Sequence, residues 1–132
     1  MYRVALPVLA LWLSACTTAP KAPMQLPMSQ TNHCAVPVGV HVKQRALTIS
    51  LGQKPTAGYG IDVVAQEGND ESLTLTFRER SPAPGMVVAQ VMTSPCLEVM
   101  LPPNWQQVTV LRAGTQQRWQ FSANDQVKRL GQ

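Results

Sequence analysis

The stretch Leu73-Thr-Leu-Thr-Phe-Arg78 decides the fold of this chain, because apolar and polar side chains alternate along it. A period of two places the apolar side chains on one face of a β-strand and the polar side chains on the other. Gly68-Asn-Asp70, just before it, has the composition of a hairpin turn. The rest of the chain has no long apolar pattern with the 3.6-residue period of a helix. We therefore predict an all-β fold.

Short alternating runs of the same kind recur on both sides of this strand, and Gly- or Pro-containing segments separate them. Gly and Pro together make up 19 of the 132 residues, so turns are plentiful. This spacing is typical of a small antiparallel sandwich or a partly open barrel. Trp105 and Trp119 are expected to pack in its core. The other predicted runs are Val36–Val42, Ala46–Leu51, Gly58–Gln66, Met86–Met92, Leu97–Leu101, Gln107–Leu111 and Arg118–Phe121.

The first residues have the pattern of a bacterial secretory leader. A positive start ending at Arg3 precedes the apolar run Val4–Leu13, which is too short to span a bilayer. Leu13-Ser-Ala-Cys16 resembles the lipobox of bacterial lipoproteins. The resemblance implies cleavage before Cys16, acylation of Cys16, and durable attachment to a membrane. The alternative is an ordinary secreted protein cut at the same place.

Thr17 follows the acylated position, where a lipoprotein retained in the inner membrane usually carries Asp. In a Gram-negative cell the resemblance therefore implies an outer-membrane protein facing the periplasm. We predict a signal peptide over residues 1–15 and a lipidated, Pro-containing flexible tether over 16–33. The β domain is predicted over 34–122, and a polar tail over 123–132.

Two cysteines remain when Cys16 is set aside, and an even pair in an oxidising compartment predicts a disulfide. A bond between Cys34 and Cys96 would close a loop of 63 residues. The chain-entropy model gives such a loop about 4 kcal/mol of stabilisation, an upper figure because native strain subtracts from it. The alternative, a reactive thiol, needs an electropositive setting that neither sequence neighbourhood supplies.

The stretch Gly52-Gln-Lys-Pro-Thr-Ala-Gly-Tyr-Gly-Ile61, here called the hook loop, lies between two predicted strands. Its Gly and Pro residues favour a rigid, compact turn, and such loops carried on strands often serve recognition. Ser81-Pro-Ala-Pro-Gly85 is a second rigid loop. The structural alternative is that both loops only connect strands. The candidate protein-binding residues are Lys54, Pro55, Thr56, Tyr59, Pro82, Pro84 and Gly85.

No catalytic constellation stands out, and we predict a binding protein that is not an enzyme and has no cofactor. His33 and His41 are the two histidines, and His33-Cys34 lacks the second close pair that a zinc site needs. The formal net charge is +4, with no basic run longer than two residues. That charge pattern indicates no nucleic-acid partner.

Three motifs together resemble the C-terminal domain of the PrcB family of protease-complex subunits, over about Leu47–Leu101. They are the hook loop, the Pro82-Ala-Pro-Gly85 turn and the segment Gln90-Val-Met-Thr-Ser-Pro95. The resemblance implies a small β domain that binds and stabilises a partner protein, of which a protease is one candidate. Ala57 stands where the family commonly has Gly. Cys96 stands where an aromatic residue is common, which suggests a disulfide specific to this branch.

A second likeness concerns the hook loop alone. Lys54-Pro-Thr-Ala-Gly-Tyr59 is similar to the Asn-Pro-Thr-Thr-Gly-Tyr loop of chagasin-type inhibitors of cysteine proteases, which are also small β-sandwiches. Lys54 replaces the Asn, and the Arg-Pro-Trp-type loop of that family is missing. Protease inhibition is therefore the alternative function. A purely structural envelope lipoprotein is the third.

Overall fold

The computed structural model describes residues 25–125, which form two four-stranded β-sheets packed face to face. The predicted signal peptide, the predicted lipidation site Cys16, residues 17–24 of the predicted tether and residues 126–132 of the predicted tail lie outside the described residues. The strands are β1 (Met28–Thr31), β2 (Gly39–Lys43), β3 (Ala46–Ser50), β4 (Gly60–Gly68), β5 (Ser72–Arg80), β6 (Cys96–Met100), β7 (Gln107–Arg112) and β8 (Arg118–Ser122).

The first sheet has the order β1-β6-β3-β2 and the second has the order β4-β5-β7-β8. All neighbouring strands are antiparallel except β5 and β7, which run parallel. The predicted all-β sandwich is confirmed, and the sheets do not close into a barrel. The parallel pair arises because the chain passes through the first sheet, as β6, between β5 and β7.

The apolar faces of both sheets form one core between them. Leu73, Leu75 and Phe77 of β5 are at most 2% exposed, while Thr74 and Thr76 on the other face are half-buried. The alternation that predicted this strand is therefore confirmed. Trp105 is buried, as predicted, and Trp119 is half-buried with its ring centroid 6.0 Å from that of Phe77. The other buried apolar residues are Val40, Val42, Leu47, Ile49, Ile61, Leu97, Val99, Leu101, Val108 and Val110.

The first sheet begins inside the stretch predicted to be tether. Met28–Thr31 pairs antiparallel with β6, from Met28 opposite Val99 to Thr31 opposite Cys96. The β domain thus starts six residues before its predicted boundary at Cys34. Pro27 permits this because it lies just outside an edge strand, where a missing amide hydrogen costs no ladder bond. Its carbonyl still accepts a hydrogen bond from the amide of Met100, at 2.9 Å.

The strand predicted at Met86–Met92 is wrong. These residues form an irregular segment in which Val87 is 98% exposed. The two strands that flank the segment in the chain have no free edge, since β5 pairs with β4 and β7, and β6 pairs with β1 and β3. The apolar alternation of Val87, Ala89 and Val91 therefore pairs with neither of them.

The predicted disulfide between Cys34 and Cys96 is present, with the two Cα atoms 5.2 Å apart. It ties the segment that follows β1 to the first residue of β6. The amide of Cys34 also donates to the carbonyl of Ser94, at 3.0 Å. Within residues 25–125, no helix is long and apolar enough to cross a membrane.

Candidate functional site

Two loops cross between the sheets at the same end of the sandwich. The hook loop leads from β3 in the first sheet to β4 in the second, and residues 81–95, the 81–95 loop, lead from β5 back to β6. Ser50 at the end of β3 lies opposite Cys96, and Gly60 at the start of β4 lies opposite Arg80. This register brings both ends of the two loops together. The topology therefore makes the loops neighbours.

Main-chain hydrogen bonds join the two loops along their length. Lys54 and Thr93 exchange a pair of amide-to-carbonyl bonds of 2.7 and 3.0 Å. Further along, the amide of Ala57 donates to the carbonyl of Ala89, at 3.0 Å. The buried hydroxyl of Thr93 donates to the carbonyl of Thr56, at 3.0 Å. The hook loop is thus fixed to its neighbour by its backbone and does not stand alone.

Gly58 allows the two loops to pack closely. Its φ of +94° lies in the left-handed region, and a Cβ placed there would come within 2.9 Å of Pro82 Cγ and 3.1 Å of Val88 Cγ1. Any side chain at position 58 would therefore push the hook loop away from the 81–95 loop. The close approach explains why this turn contains Gly.

Lys54 is engaged inside the protein. Its Nζ lies 2.6 Å from Oε1 of Glu79, whose Oε2 lies 2.8 Å from a guanidinium nitrogen of Arg112. The Lys54 and Glu79 side chains are only 22% and 21% exposed. The Lys54 ammonium also sits 5.5 Å from the ring centroid of Tyr59, a cation–π arrangement. Lys54 therefore holds the hook loop against β5 and holds Tyr59 in place.

The remaining predicted binding residues divide into supporting and exposed groups. Thr56, Tyr59 and Pro82 are half-buried, whereas Pro55 and Pro84 are exposed. Gly85 is exposed as well, with open space where a side chain would be. Tyr59 and Pro82 line a groove of about 640 Å³ that runs from the 81–95 loop to Gln30 and Asn32 beside β1.

The structure reveals apolar side chains at this end that sequence analysis assigned to a strand. They belong to the 81–95 loop and point to solvent, each with more than half of its surface exposed. In the sequence, the apolar alternation that suggested a strand was the signal that could have drawn attention to these residues. The exposed residues are Met86, Val87, Val91 and Met92.

Arg78 and Arg80, at the end of β5, both face Asp62 on the neighbouring strand. The Arg80 guanidinium lies 2.5 Å from a carboxylate oxygen of Asp62, and that of Arg78 lies 3.8 Å from the other. The arginine side chains are 62% and 50% exposed, so these ion pairs are solvated. They form a polar border beside the groove, to which Arg80 also contributes.

The described residues contain no group of three or more His, Cys, Asp or Glu side chains that could hold a metal ion. His41 Nε2 lies 2.9 Å from the carbonyl oxygen of Pro37, in the segment that leads into β2. The two cysteines within residues 25–125 are joined to each other. The features at the loop end of the sandwich are therefore a groove and exposed apolar side chains.

Together these features define a small β-sandwich whose sheet-crossing loops are fastened into a single surface. Residues 46–102 match the family model PrcB C-terminal. This confirms the resemblance seen over Leu47–Leu101. No curated protein and no solved structure matches the chain significantly.

The three motifs that carried the resemblance meet in the structure. Gly58 of the hook loop packs on Pro82 of the Pro-rich turn, and Thr56 accepts a hydrogen bond from Thr93 of the third motif. Pro95, which ends that motif, is fully buried. The family match runs from the first residue of β3 past the end of β6, so it contains both loops. Strands β1, β2, β7 and β8 lie outside it.

Proposed function

We propose that this protein is a non-catalytic subunit that binds another protein through the surface formed by the hook loop and the 81–95 loop. The family of the domain favours a protease complex as the setting of that interaction. The observation that carries the proposal is the row of exposed apolar side chains on a loop that hydrogen bonds hold in place.

Energetics support this use of the surface. Burying a Val or Met side chain contributes about 1.5–3 kcal/mol, and here several stand in solvent on one loop. The backbone bonds from Lys54 and Ala57 already order that loop, so less conformational entropy is lost on association. The loop is 15 residues long without a strand or helix, and loops of that length in compact domains commonly have a function.

The exposed apolar residues of the 81–95 loop and the binding residues predicted from the sequence have different roles in this proposal. Val87 and Met92 supply apolar contact, and Pro55, Pro84 and Gly85 supply rigid exposed backbone. Tyr59 presents one side of its ring at the groove. Lys54, Thr56 and Pro82 act as positioning residues, because their contacts lie within the protein.

A comparison of two matched variants tests the docking surface. Val87→Asp places a charge on the loop, and Val64→Asp places one on β4, where the side chain is 47% exposed. Each tagged protein is expressed in its native cells, purified from detergent-solubilised envelope, and its co-purifying proteins are quantified by mass spectrometry. We expect Val87→Asp to lose a protein that wild type and Val64→Asp retain, with thermal melting unchanged in both variants.

Retention of all co-purifying proteins by Val87→Asp and by Met92→Asp would overturn this docking surface. An activity assay on the retained partner distinguishes a stabilising subunit from an inhibitor. If the partner is a protease and loses activity when the purified protein is added, the inhibitor alternative holds. If the protease becomes longer-lived with its activity intact, the stabilising role holds.

We further propose that acylated Cys16 anchors the protein to the outer membrane, with the domain in the periplasm. The leader sequence supports this. Because Leu26 packs against the core and its amide donates to Gln66, the proposed tether comprises the nine residues from Thr17 to Gln25. A polyproline-like chain of that length reaches about 28 Å at most. The loop surface would then work close to the membrane.

Labelled palmitate and cell fractionation test the anchor. Wild type is expected to incorporate the label and to sediment with outer membranes, and Cys16→Ala is expected to do neither. Cys34→Ala together with Cys96→Ala is the matched control, because it removes cysteines without touching the proposed acylation site. Label on Cys16→Ala equal to that on wild type would contradict the proposal.

A further inference from the structure

A cavity opens between the two sheets on the side where β2 and β8 are the edge strands. It has a volume of about 360 Å³ and includes no residue of the 81–95 loop. Ile49 and Phe77, both nearly fully buried, form part of its wall, and the indole of Trp119 lines it as well. Val38, which is 70% exposed, stands at its opening. Apolar side chains thus form one part of the cavity wall, and the cavity is accessible from solvent.

One end of the cavity is charged. Lys54, Glu79 and Arg112 line it together, and each carboxylate oxygen of Glu79 pairs with one of the two cations. One negative charge thus faces two positive charges, so the cluster carries a net charge of about +1 at neutral pH. Arg112 also donates to the side-chain oxygen of Gln117, at 3.3 Å. A guanidinium has five N–H donors, so further donors remain for a ligand.

The other edges of the sandwich are bridged by side chains. Gln30 on β1 donates to the carbonyl of Ile61 on β4, at 2.8 Å, and Gln66 on β4 accepts from the amide of Leu26, at 3.2 Å. Among residues 25–125, no corresponding side-chain bond joins β2 to β8. Because no such hydrogen bonds close the β2–β8 side, a ligand can enter between the sheets there.

We propose that this cavity binds a small amphipathic anion, a medium-chain carboxylate, with its apolar chain between the sheets and its carboxylate on Arg112 and Lys54. The volume lies near the lower end of the range of small-ligand pockets, roughly 300–1,000 Å³. One water molecule takes up about 30 Å³ of liquid water. If each non-hydrogen atom of a ligand needs about as much, the cavity holds about twelve of them, the number in decanoate. Charge complementarity selects the anion, since a neutral or cationic head group would leave the net positive charge unmatched.

The test uses the native, lipidated protein held in amphipol, with decanoate as the probe. Equilibrium dialysis with labelled decanoate measures affinity, and quenching of tryptophan fluorescence by 10-bromodecanoate reports whether the chain reaches Trp119. We expect saturable binding with strong quenching. Trp119→Phe should lose most of the quenching.

Two arginine variants separate the proposed site from general charge effects. Arg112→Gln should weaken decanoate binding at least about tenfold, since a charge-assisted bond is lost. Arg118→Gln removes the same charge from an exposed position on β8 outside the cavity, and should change affinity less than twofold. Binding of decanol, which lacks the charge, should be weak and equal in all three proteins.

Equal effects of the two arginine variants, equal affinity for decanol and decanoate, or the absence of saturable quenching would each overturn the proposal. If Arg112→Gln does not fold, Val38→Glu gives the decision, because it adds a negative charge at the exposed opening and should also weaken decanoate binding. The proposal does not depend on the protein partner, and loss of decanoate binding leaves the co-purification result unaffected.

Discussion

The Nζ atom of Lys54 lies 2.6 Å from Oε1 of Glu79, so this ion pair joins the hook loop to the penultimate residue of β5. Glu79 in turn binds Arg112 at the end of β7. This one carboxylate therefore connects the hook loop to two neighbouring strands of the second sheet. The position of the candidate docking surface depends on it.

Replacing this carboxylate should destabilise the protein more than replacing a solvated one. Glu79→Gln leaves two cations facing each other with only a fifth of the acid's site exposed. We expect the free energy of unfolding to fall by about 1–3 kcal/mol, between the values for exposed and buried pairs. Asp62→Asn removes the carboxylate that pairs with Arg80, which is more exposed than that of Glu79. This change should cost less than about 1 kcal/mol. Urea denaturation measures both, and equal losses would contradict the expected difference.

Gly58 should be less tolerant of a side chain than Gly85, although both have positive φ. Ala at either position incurs left-handed strain of about 1–2 kcal/mol. At position 58 its Cβ would also meet Pro82 at 2.9 Å, whereas no atom lies within 4 Å at position 85. We expect Gly58→Ala to lower the unfolding free energy by at least about 1 kcal/mol more than Gly85→Ala. Similar losses of unfolding free energy in the two variants would contradict the proposed close packing of Gly58 on Pro82.

The hydroxyl of Thr93 should contribute measurably to the junction between the loops. Thr93→Val keeps the shape of the side chain but leaves the carbonyl of Thr56 without its donor. A loss of about 1–2 kcal/mol is expected at this buried position. Thr115→Val removes a similar bond, to the carbonyl of Arg112, at an exposed turn and should cost less. Thermal unfolding of the pair gives the comparison, and a neutral Thr93→Val would exclude this role.

Loss of the disulfide should lower stability without changing the fold. Cys34→Ala combined with Cys96→Ala opens a 63-residue loop, so the unfolding free energy should fall by up to about 4 kcal/mol. Wild type treated with reductant should approach the same value, while the double variant should not respond to reductant. A double variant as stable as oxidised wild type would show that the bond adds nothing to stability.

Much of the fold follows from local pattern. The alternation in Leu73–Phe77 places apolar side chains on one face whatever the partner strand is, so β5 and its burial were predictable. The turn at Gly68–Asp70 was equally local, since the Asn69 side chain accepts from the amides of Glu71 and Ser72. The disulfide was predictable because two cysteines remain once Cys16 is assigned to the predicted leader, and two cysteines leave one pairing.

Other features depended on which strands are neighbours. Residues 86–92 alternate like a strand but join neither sheet, and their exposed apolar side chains form part of the candidate docking surface. Residues 28–31 look like tether but found the open side of β6. The sequence pattern in each case was ambiguous, and pairing across the sheet resolved it.

By itself the sequence determined the all-β class, the main core strand, the disulfide and the resemblance of residues 46–102 to a known family, because each rests on short-range pattern or motif. Only the tertiary structure decided that Lys54 supports the loop from within, that the three motifs touch, and that apolar residues of the 81–95 loop face solvent. The contacts of Lys54 with Glu79 and of Gly58 with Pro82 join residues 24 or more positions apart, and the register of two sheets sets such contacts where local preference does not.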